Sequence, residues 1–223
     1  MYSIKDVRVV YGSQLILSID ELLFESAKKY GIIGENGSGK TTLLKVISQW
    51  LVPTHGNVTG FNKVDVGYMP QKPFIFSISV LNNVLIALEG VSDAEQRAFS
   101  ALEKVGLNGL AKRRADRLSG GEMQRLSLAR MIAKPRQVLL LDEPSSATDI
   151  RGTDQIEKIL DAYCAETRCT LIMTTHSPAQ ALRMVDEVIY LEDGQMVEHG
   201  PADQVIRHTD NPKTLAFLQH WHI

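Results

Sequence analysis

Short apolar runs recur along the chain, and their continuity is typical of strands that are covered on both faces of a sheet. These runs are residues 30–33, 138–141, 170–175 and 188–191. Other segments place their apolar positions at helical spacing, namely residues 42–47, 152–165 and 178–185. Because parallel strands need crossover connections, the alternation predicts an α/β fold with a mostly parallel sheet and right-handed crossovers.

A different pattern opens the chain. Residues 1–29 are rich in β-branched positions and turn signals, and residues 51–70 return to short strands separated by prolines and glycines. Within the second segment Val64, Val66 and Tyr68 alternate with other residues, which predicts a half-buried strand. We therefore expect an N-terminal antiparallel β subdomain beside the parallel sheet.

Residues 72–135 contain several helical patterns and few β-branched runs. One helix is predicted from the spacing of Val80, Val84, Leu85 and Leu88. A second helix is expected to begin at the capping sequence 92–95 and to end at Gly106. The face of the second helix that is expected to be buried comprises Phe99, Leu102 and Val105.

The chain, residues 1–223, is long enough for one large domain. We expect an α/β core formed by residues 1–71 and 136–223, with residues 72–135 inserted into it as a helical lobe. The tail, residues 201–223, has a helical and polar pattern.

Charge and cysteine content narrow the possible functions. The net charge is -2, from 24 basic and 26 acidic residues, and provides no basic field for binding nucleic acid. We recognise no secretory signal and no apolar run that could cross a bilayer, so any membrane contact is expected to go through a partner. The two cysteines, Cys164 and Cys169, supply neither a disulfide framework nor the ligands of a zinc site. This cysteine content favours a reducing compartment.

The most specific chemical signal is the glycine-rich loop Gly34-Glu35-Asn36-Gly37-Ser38-Gly39-Lys40-Thr41, which fits the phosphate-binding pattern G-x-x-x-x-G-K-[ST]. It connects a predicted strand to a predicted helix, so backbone N–H groups and the positive end of the helix dipole point at one place. Lys40 is expected to reach the β- and γ-phosphates, and the Thr41 hydroxyl to hold Mg²⁺. The alternative is a chance glycine-rich turn, which the flanking strand and helix disfavour.

The predicted strand at 138–141 ends in two acids, Asp142 and Glu143. Residues at the carboxyl ends of parallel strands face the ligand crevice, so Asp142 is placed to bind Mg²⁺ opposite Thr41. Glu143 points differently and is a candidate base for a water that attacks the γ-phosphoryl group. The alternative is a pair of solvated acids at a strand end.

Two further polar residues are expected at this edge. His176 follows the predicted strand at 170–175, where its imidazole can bond the γ-phosphate and support Glu143, or simply end the strand in a polar group. Gln71 lies between the sheet and the helical segment, where its amide can contact Mg²⁺ or water.

A second glycine-containing segment reads Leu-Ser-Gly-Gly-Glu-Met-Gln-Arg over residues 118–125. Ser119 is expected to cap a helix that runs on from Glu122, and with Gly120 and Gly121 it forms a second anion-binding end. One chain needs only one phosphate cradle, so we expect this end to serve a nucleotide held by another copy. A plain capped helix is the alternative.

Together these motifs resemble the ATP-binding cassette (ABC) family of ATPases, over essentially the whole chain. The resemblance implies a nucleotide site made of Tyr11 beside adenine, the Walker A residues Gly34, Asn36, Gly37, Ser38, Gly39, Lys40, Thr41 and Thr42, and the signature residues Ser119, Gly120 and Gly121. It implies that the catalytic residues are Glu143, His176 and Gln71, and that the metal ligands are Thr41, Gln71 and Asp142. Residues 145–149 resemble the D-loop, in which Thr148 replaces the usual leucine, while Glu122 replaces the usual signature glutamine.

The resemblance also implies a mechanism with ATP and Mg²⁺. Two copies, in a homodimer or a pair of such ATPases, would sandwich two ATP molecules head to tail, each touching one copy's Walker A loop and the other's Ser119 and Gly121. Hydrolysis would open the dimer, and transmembrane permease subunits would convert the motion into transport. The chain would then lie in the cytoplasm, on the inner face of the membrane, in a system that includes a substrate-binding protein.

We favour an importer, since the ATPase is a separate chain without a fused membrane domain and residues 211–218 resemble the endings of importer ATPases for oxyanions or polar amino acids. An apolar cluster beside Gln71 is either a dock for a permease helix or ordinary core; it comprises Phe74, Ile75, Phe76, Ile78 and Leu81. The alternative function is a soluble ATPase of this family acting on DNA or the ribosome, which the lack of tandem cassettes, coiled-coil insertion and basic excess disfavours. A phosphoryl-transferring kinase is disfavoured by Glu143 and the signature.

Overall fold

The computed structural model describes residues 1–62 and 65–221, and nine strands of this part of the chain form one sheet. The strands are β1 (Tyr2–Tyr11), β2 (Gln14–Phe24), β3 (Lys29–Ile33), β4 (His55–Thr59), β5 (Val66–Met69), β6 (Val138–Asp142), β7 (Thr170–Thr174), β8 (Glu187–Glu192) and β9 (Gln195–Pro201). The half-buried strand predicted around Val64 is observed as β5, but Val64 itself lies outside the described residues, as do the last two residues of the tail.

Eight α-helices are found in the same described ranges. They are α1 (Lys40–Ile47), α2 (Val80–Leu85), α3 (Ala94–Lys104), α4 (Gly120–Ile132), α5 (Ile150–Thr167), α6 (Pro178–Met184), α7 (Ala202–Arg207) and α8 (Pro212–Gln219). Short 3₁₀ turns occur at Ile86–Leu88, Asn108–Leu110 and Ala115–Arg117.

The strand order is β4-β1-β2-β9-β8-β3-β7-β6-β5. The five strands β8, β3, β7, β6 and β5 pair in parallel, whereas β1 pairs antiparallel with both β2 and β4. The hairpin of β8 and β9 joins the two regions through the parallel pairing of Ser18 with Gln195. The prediction of an α/β fold with a mostly parallel sheet and an antiparallel N-terminal part is therefore confirmed.

The apolar strands separate two hydrophobic clusters, one on each face of the sheet. In β6 Leu139 and Leu141 belong to the cluster that includes α3 and α4, while Val138 and Leu140 belong to the cluster that includes α1, β1 and β2. Every residue of β6 and β7 is buried, because both faces of these strands are covered. A continuous apolar run is what such burial requires.

Three strand ends of the parallel region meet at one edge of the sheet. Strand β7 lies between β3 and β6, so that Thr174 is in register with Ile32 on one side and with Asp142 on the other. The chain leaves these strands into residues 34–39, 143–149 and 175–177. All three segments therefore start from neighbouring points, although they are far apart in the sequence.

The helices of residues 72–135 differ from the prediction in two details. Helix α3 begins after Asp93, whose side chain makes no cap hydrogen bond because it is engaged by Arg97. Phe99 is 38% exposed, whereas Leu102 and Val105 are buried, so Phe99 does not share their face. The end of α3 agrees with the prediction, since Gly106 follows it with a φ of 70°. The boundaries of a separate helical lobe stay a prediction.

The tail is helical, but the expectation that it is polar was wrong in part. Val205 and Ile206 of α7 and Phe217 of α8 are buried. Phe217 stacks on Tyr190 of β8 with ring centroids 4.9 Å apart, which fixes α8 against the sheet.

Candidate active site

The loop between β3 and α1 contains backbone angles that favour glycine. Gly34 has a φ of 147° and Gly39 a φ of 99°, a range that residues with a Cβ rarely adopt. A Cβ on Gly34 would lie 2.2 Å from the carbonyl oxygen of Leu191 and 2.7 Å from Ser38 Oγ. Glycine at this position therefore lets the loop turn back tightly against β8.

Lys40, the first residue of α1, is buried and reaches back over the loop. Its Nζ donates hydrogen bonds to the carbonyl oxygens of Gly34 and Glu35, each at 2.8 Å. Burial lowers the pKa of Lys40, although the negative charges of Glu143, Asp142 and Glu35 act in the opposite direction. The ammonium group is thus held in the loop by neutral carbonyl oxygens, a setting in which an added anion would be a strong partner.

Thr41 and Asp142 link the loop to the end of β6. The Thr41 hydroxyl donates to Asp142 Oδ2 at 2.7 Å, and the Thr174 hydroxyl donates to Asp142 Oδ1 at 2.6 Å. Both carboxylate oxygens of Asp142 therefore accept a hydrogen bond from a threonine. Thr174 was not a predicted site residue, because it lies inside an apolar run; the signal that was available is that a polar residue stands next to the end of that run.

Glu143 has an unusual backbone conformation at the centre of the site. Its φ is 45°, in the left-handed region, and its N–H donates to Thr174 Oγ1 at 2.9 Å. Its Oε2 accepts a hydrogen bond from Gln71 Nε2 at 2.8 Å and lies 3.6 Å from His176 Nδ1. The structure therefore brings together three predicted catalytic residues, Gln71, Glu143 and His176, at the same edge as the loop.

Two adjoining clefts contain these groups. The smaller, of about 360 Å³, is lined by Ile16, Asn36, Gly37, Gly39, Lys40, Thr41, Thr42, Gln71 and Glu143. The larger, of about 740 Å³, is lined by Gly34, Glu35, Asn36, Gln71, Glu143, Ser146, His176, Phe217, His220 and Trp221. The tail residues of this lining were not predicted, since a polar terminal helix gives no sign of where it packs. The Trp221 ring lies 5.9 Å from the His176 ring.

Ser119 is the N-cap residue of α4 and forms a reciprocal capping box with Glu122. Its hydroxyl accepts from the Glu122 N–H at 3.3 Å, and Glu122 Oε2 accepts from the Ser119 N–H at 2.7 Å. The bond from the Ser119 N–H is the main cause that lowers the pKa of Glu122. Glu122, which departs from the commonest family pattern, therefore has a local structural role.

The structure does not bring the signature residues to the loop of the same chain. A Cβ on Gly120 or Gly121 would meet Ala147 or Thr148, which shows that both glycines lie against residues 145–149. Neither of the two cleft linings given above includes Ser119, Gly120 or Gly121. Ser119 and Gly120 are instead exposed.

Comparison with known proteins decides which family has this arrangement. The sequence model of the ABC transporter family matches residues 17–146, which include the loop, Gln71, the signature and the two acids Asp142 and Glu143 at the end of β6. The chain belongs to the ABC transporter family.

Relatives in this family cover nearly the whole chain. The tungstate uptake system ATP-binding protein TupC of Peptoclostridium acidaminophilum is 34% identical, over 88% of this chain and 96% of that protein. The thiamine import ATP-binding protein ThiQ of Jannaschia sp. (strain CCS1) is 34% identical, over 95% of this chain and 98% of that protein. The zinc import ATP-binding protein ZnuC 2 of Aliivibrio fischeri is 32% identical, over 92% and 84%.

Solved structures of ABC proteins share the fold. A dimeric, post-hydrolysis structure of the ATP-binding cassette MJ0796 bound to ADP and Pi matches with a TM-score of 0.84 and 26% identity, covering 91% of this chain and 99% of that one. An inward-facing putative metal-chelate type ABC transporter matches with a TM-score of 0.84 and 27% identity, covering 98% and 88%. The chain is thus an ATP-hydrolysing, nucleotide-binding subunit of an ABC transporter.

Two other expected features are Tyr11 beside adenine and an apolar cluster beside Gln71. Tyr11 ends β1 with 58% of its surface exposed, and neither cleft lining described above includes it. Of the apolar cluster beside Gln71, Phe74 and Ile78 are exposed, whereas Ile75 and Leu81 pack against the core. Only part of that cluster is therefore free to contact another protein.

Arg130 fixes the exposed end of the cluster. Its Nη1 donates to the Phe74 carbonyl oxygen at 2.6 Å, and its guanidinium lies 5.5 Å from the centre of the Phe76 ring.

Across residues 1–62 and 65–221, none of the helices is both long enough and apolar enough to traverse a bilayer.

Proposed function

We propose that the chain hydrolyses ATP with Mg²⁺ in a head-to-tail dimer and thereby drives permease subunits of an importer. The observation that carries the hydrolytic part is the hydrogen-bonded series from Thr41 through Asp142 and Thr174 to Glu143. It connects the phosphate loop to the candidate base through side chains on three neighbouring elements.

The loop supplies what a triphosphate needs. Lys40 offers a buried ammonium whose present acceptors are carbonyl oxygens, and the Ser38 hydroxyl is buried without a hydrogen-bond partner in the described part of the chain. Phosphate oxygens would satisfy both groups. Asn36, Gly37 and Thr42 line the same cleft and would complete the cradle.

The donors for Mg²⁺ also fit. The Thr41 hydroxyl and the Asp142 carboxylate lie 2.7 Å apart, and both are hard oxygen ligands of the kind that Mg²⁺ prefers. Gln71, beside Glu143, would supply a third oxygen from its amide. When bound, Mg²⁺ would neutralise charge on the phosphates.

Glu143 would act as the general base. Its carboxylate would accept a proton from a water as the water oxygen bonds to the γ-phosphorus and the bond to the β–γ bridging oxygen breaks, leaving ADP and phosphate. His176, 3.6 Å from Glu143 Oε2, would hydrogen-bond the γ-phosphate. Gln71 would hold Glu143 in place through its 2.8 Å hydrogen bond.

The dimer arrangement is supported by the position of the signature residues, which do not reach the phosphate loop of their own chain in the described structure. Ser119 and Gly120 are exposed, and Gly120 lies against residues 145–149, which resemble the D-loop, rather than against the phosphate loop. In a head-to-tail pair, Ser119, Gly120 and Gly121 would reach the γ-phosphate bound by the partner copy. The dimeric cassette with 26% identity supports the formation of a dimer. Tyr11, exposed at the end of β1, would stack on adenine.

Import is supported by the names of the relatives, which include uptake or import of tungstate, thiamine and zinc. The permease subunits would dock on the exposed apolar residues Phe74 and Ile78. The chain would then work in the cytoplasm, at the inner face of the membrane, together with a substrate-binding protein. The cargo would be selected by these other subunits.

The test of the ATP-driven dimer uses Glu143→Gln, measured by light scattering with and without ATP. We expect this variant to bind ATP, to stop turnover and to form a stable dimer, because hydrolysis is what opens it. Adding Ser119→Arg should prevent the dimer while ATP binding persists, whereas Ser92→Arg, on an exposed serine ahead of α3, should leave the dimer intact. A Glu143→Gln protein that stays monomeric at saturating ATP would show that the proposal is wrong.

A further inference from the structure

Behind Glu143 and His176 lies a buried hydrogen-bond network centred on Gln180 of α6. Gln180 Oε1 accepts from the Thr175 hydroxyl at 2.7 Å. Gln180 Nε2 donates to Ser145 Oγ and to Glu157 Oε1, each at 3.0 Å. The side chain is only 6% exposed, so these partners replace water.

The orientation of this amide is determined by its surroundings. Glu157 is itself buried, and Arg183 Nη2 donates to its Oε1 at 2.9 Å. Reversing the Gln180 amide would turn its carbonyl oxygen toward the Glu157 carboxylate, and two acceptors cannot share a hydrogen bond. The two N–H groups of Gln180 are therefore committed to Ser145 and Glu157.

The network joins the two segments that contain the catalytic groups. Ser145 lies two residues after Glu143, in the segment 145–149. Thr175 immediately precedes His176, and its hydroxyl also accepts from the Ser177 N–H at 3.0 Å, so both neighbours of His176 are tied to this network. A single amide thus connects the chain after Glu143 with the chain around His176.

Gln180 is placed to act on these segments without touching the nucleotide. It lines a separate small cleft of about 280 Å³ next to Glu143 and His176, and the linings of the two nucleotide clefts do not include it. We propose that Gln180 is a positioning residue for ATP hydrolysis, which holds Ser145 and Thr175 so that the segments of Glu143 and His176 keep a fixed relative position. The inference rests on the roles proposed above for Glu143 and His176.

The test is a double-mutant cycle at Gln180 and Glu157, with ATPase kinetics and thermal unfolding measured for each variant. Gln180→Glu keeps the size and the acceptor but removes the N–H donors and sets two carboxylates against each other. We expect kcat to fall roughly tenfold to a hundredfold, as a displaced catalytic group would cause, with KM for ATP unchanged. Glu157→Gln keeps an acceptor for the Gln180 amide and is the matched control, with kcat expected within about twofold of the parent.

The double variant Glu157→Gln/Gln180→Glu exchanges donor and acceptor, so that the new amide can donate to the new carboxylate. We expect the double variant to recover most of the parent kcat with KM for ATP unchanged. A change in stability alone would not produce this pattern. The inference is overturned if Gln180→Glu keeps kcat within about twofold, or if the exchange restores folding but not kcat. Glu143→Gln distinguishes failure of the proposed function from failure of this inference. If the Glu143→Gln variant still hydrolyses ATP, the proposed function itself is wrong. If Glu143→Gln loses turnover while Gln180→Glu keeps normal turnover, only the positioning role of Gln180 is refuted.

Discussion

Thr174→Val removes one hydroxyl from a fully buried position at the end of β7 and leaves the side-chain shape nearly unchanged. That hydroxyl donates to Asp142 Oδ1 at 2.6 Å and accepts from the Glu143 N–H at 2.9 Å. The first bond involves a carboxylate, and its loss costs about 1.5–3 kcal/mol. The second leaves a backbone N–H unpaired, which costs about 1–3 kcal/mol.

These two losses together predict that the free energy of unfolding falls by roughly 2.5–6 kcal/mol, which for a chain of this length lowers Tm by on the order of 10 °C. We also expect kcat to fall at least about tenfold, because Glu143 would no longer be held in its left-handed conformation. Denaturant unfolding without nucleotide and ATPase rates at saturating ATP, well below both melting temperatures, provide the two measurements.

Thr170→Val is the matched control at the other end of the same strand. Thr170 is also buried, and its Oγ1 accepts only one described hydrogen bond, from the Ala27 N–H at 3.0 Å. We expect it to lose about 1–2 kcal/mol of stability and to keep kcat. If Thr174→Val matched Thr170→Val in unfolding free energy and turned over ATP at the parent rate, the argument from the Asp142 and Glu143 contacts would be refuted.

Gly34→Ala should lower both Tm and ATP affinity, because its Cβ would lie 2.2 Å from the Leu191 carbonyl oxygen. Gly37→Ala also places a Cβ at a positive φ, of 86°, but that Cβ meets nothing within 4 Å, so the Gly34 variant should lose more; equal losses in calorimetry would contradict the steric argument. Burial lowers the pKa of Lys40 below its usual 10.5, so free protein loses this proton as pH rises toward that value, and bound ATP should restore it. Calorimetry in alkaline buffers of different ionisation enthalpy should therefore show proton uptake on ATP binding, and Lys40→Arg should abolish it; uptake that persists in Lys40→Arg would assign it elsewhere.

The local parts of the site could be predicted from sequence because each is determined by neighbouring residues. The loop before Lys40 needs glycines where a Cβ would clash, and the capping box of α4 needs Ser119 three residues before Glu122. Continuous apolar runs likewise indicated the buried strands that end at Asp142 and Thr174. In these cases the physical cause lies within a few residues of the sequence pattern.

Contacts between distant residues left no such pattern. Gln180 meets Ser145 and Glu157, which are 35 and 23 residues away, and nothing near Gln180 in the sequence indicates that its amide is buried. The exposure of Phe99 was missed for a related reason, since helical spacing does not say which face packs against α2 and α4. Such assignments require the packing of the whole chain, not the periodicity of one segment.

Sheet order explains why a residue of β7 connects so much of the site. Strand β7 separates β3 from β6, so the phosphate loop and Asp142 start from strands that do not pair with each other. Thr41 reaches Asp142 across this gap from the start of α1, while Thr174, in register with both Ile32 and Asp142, fills it from within the sheet. Because the next residues are Thr175 and His176, any shift of β7 along its axis would move Asp142's partner Thr174 and His176 together. Strand β7 therefore carries a hydrogen-bond partner of Asp142 and leads directly to His176, although it belongs to neither the phosphate loop nor the segment at the end of β6.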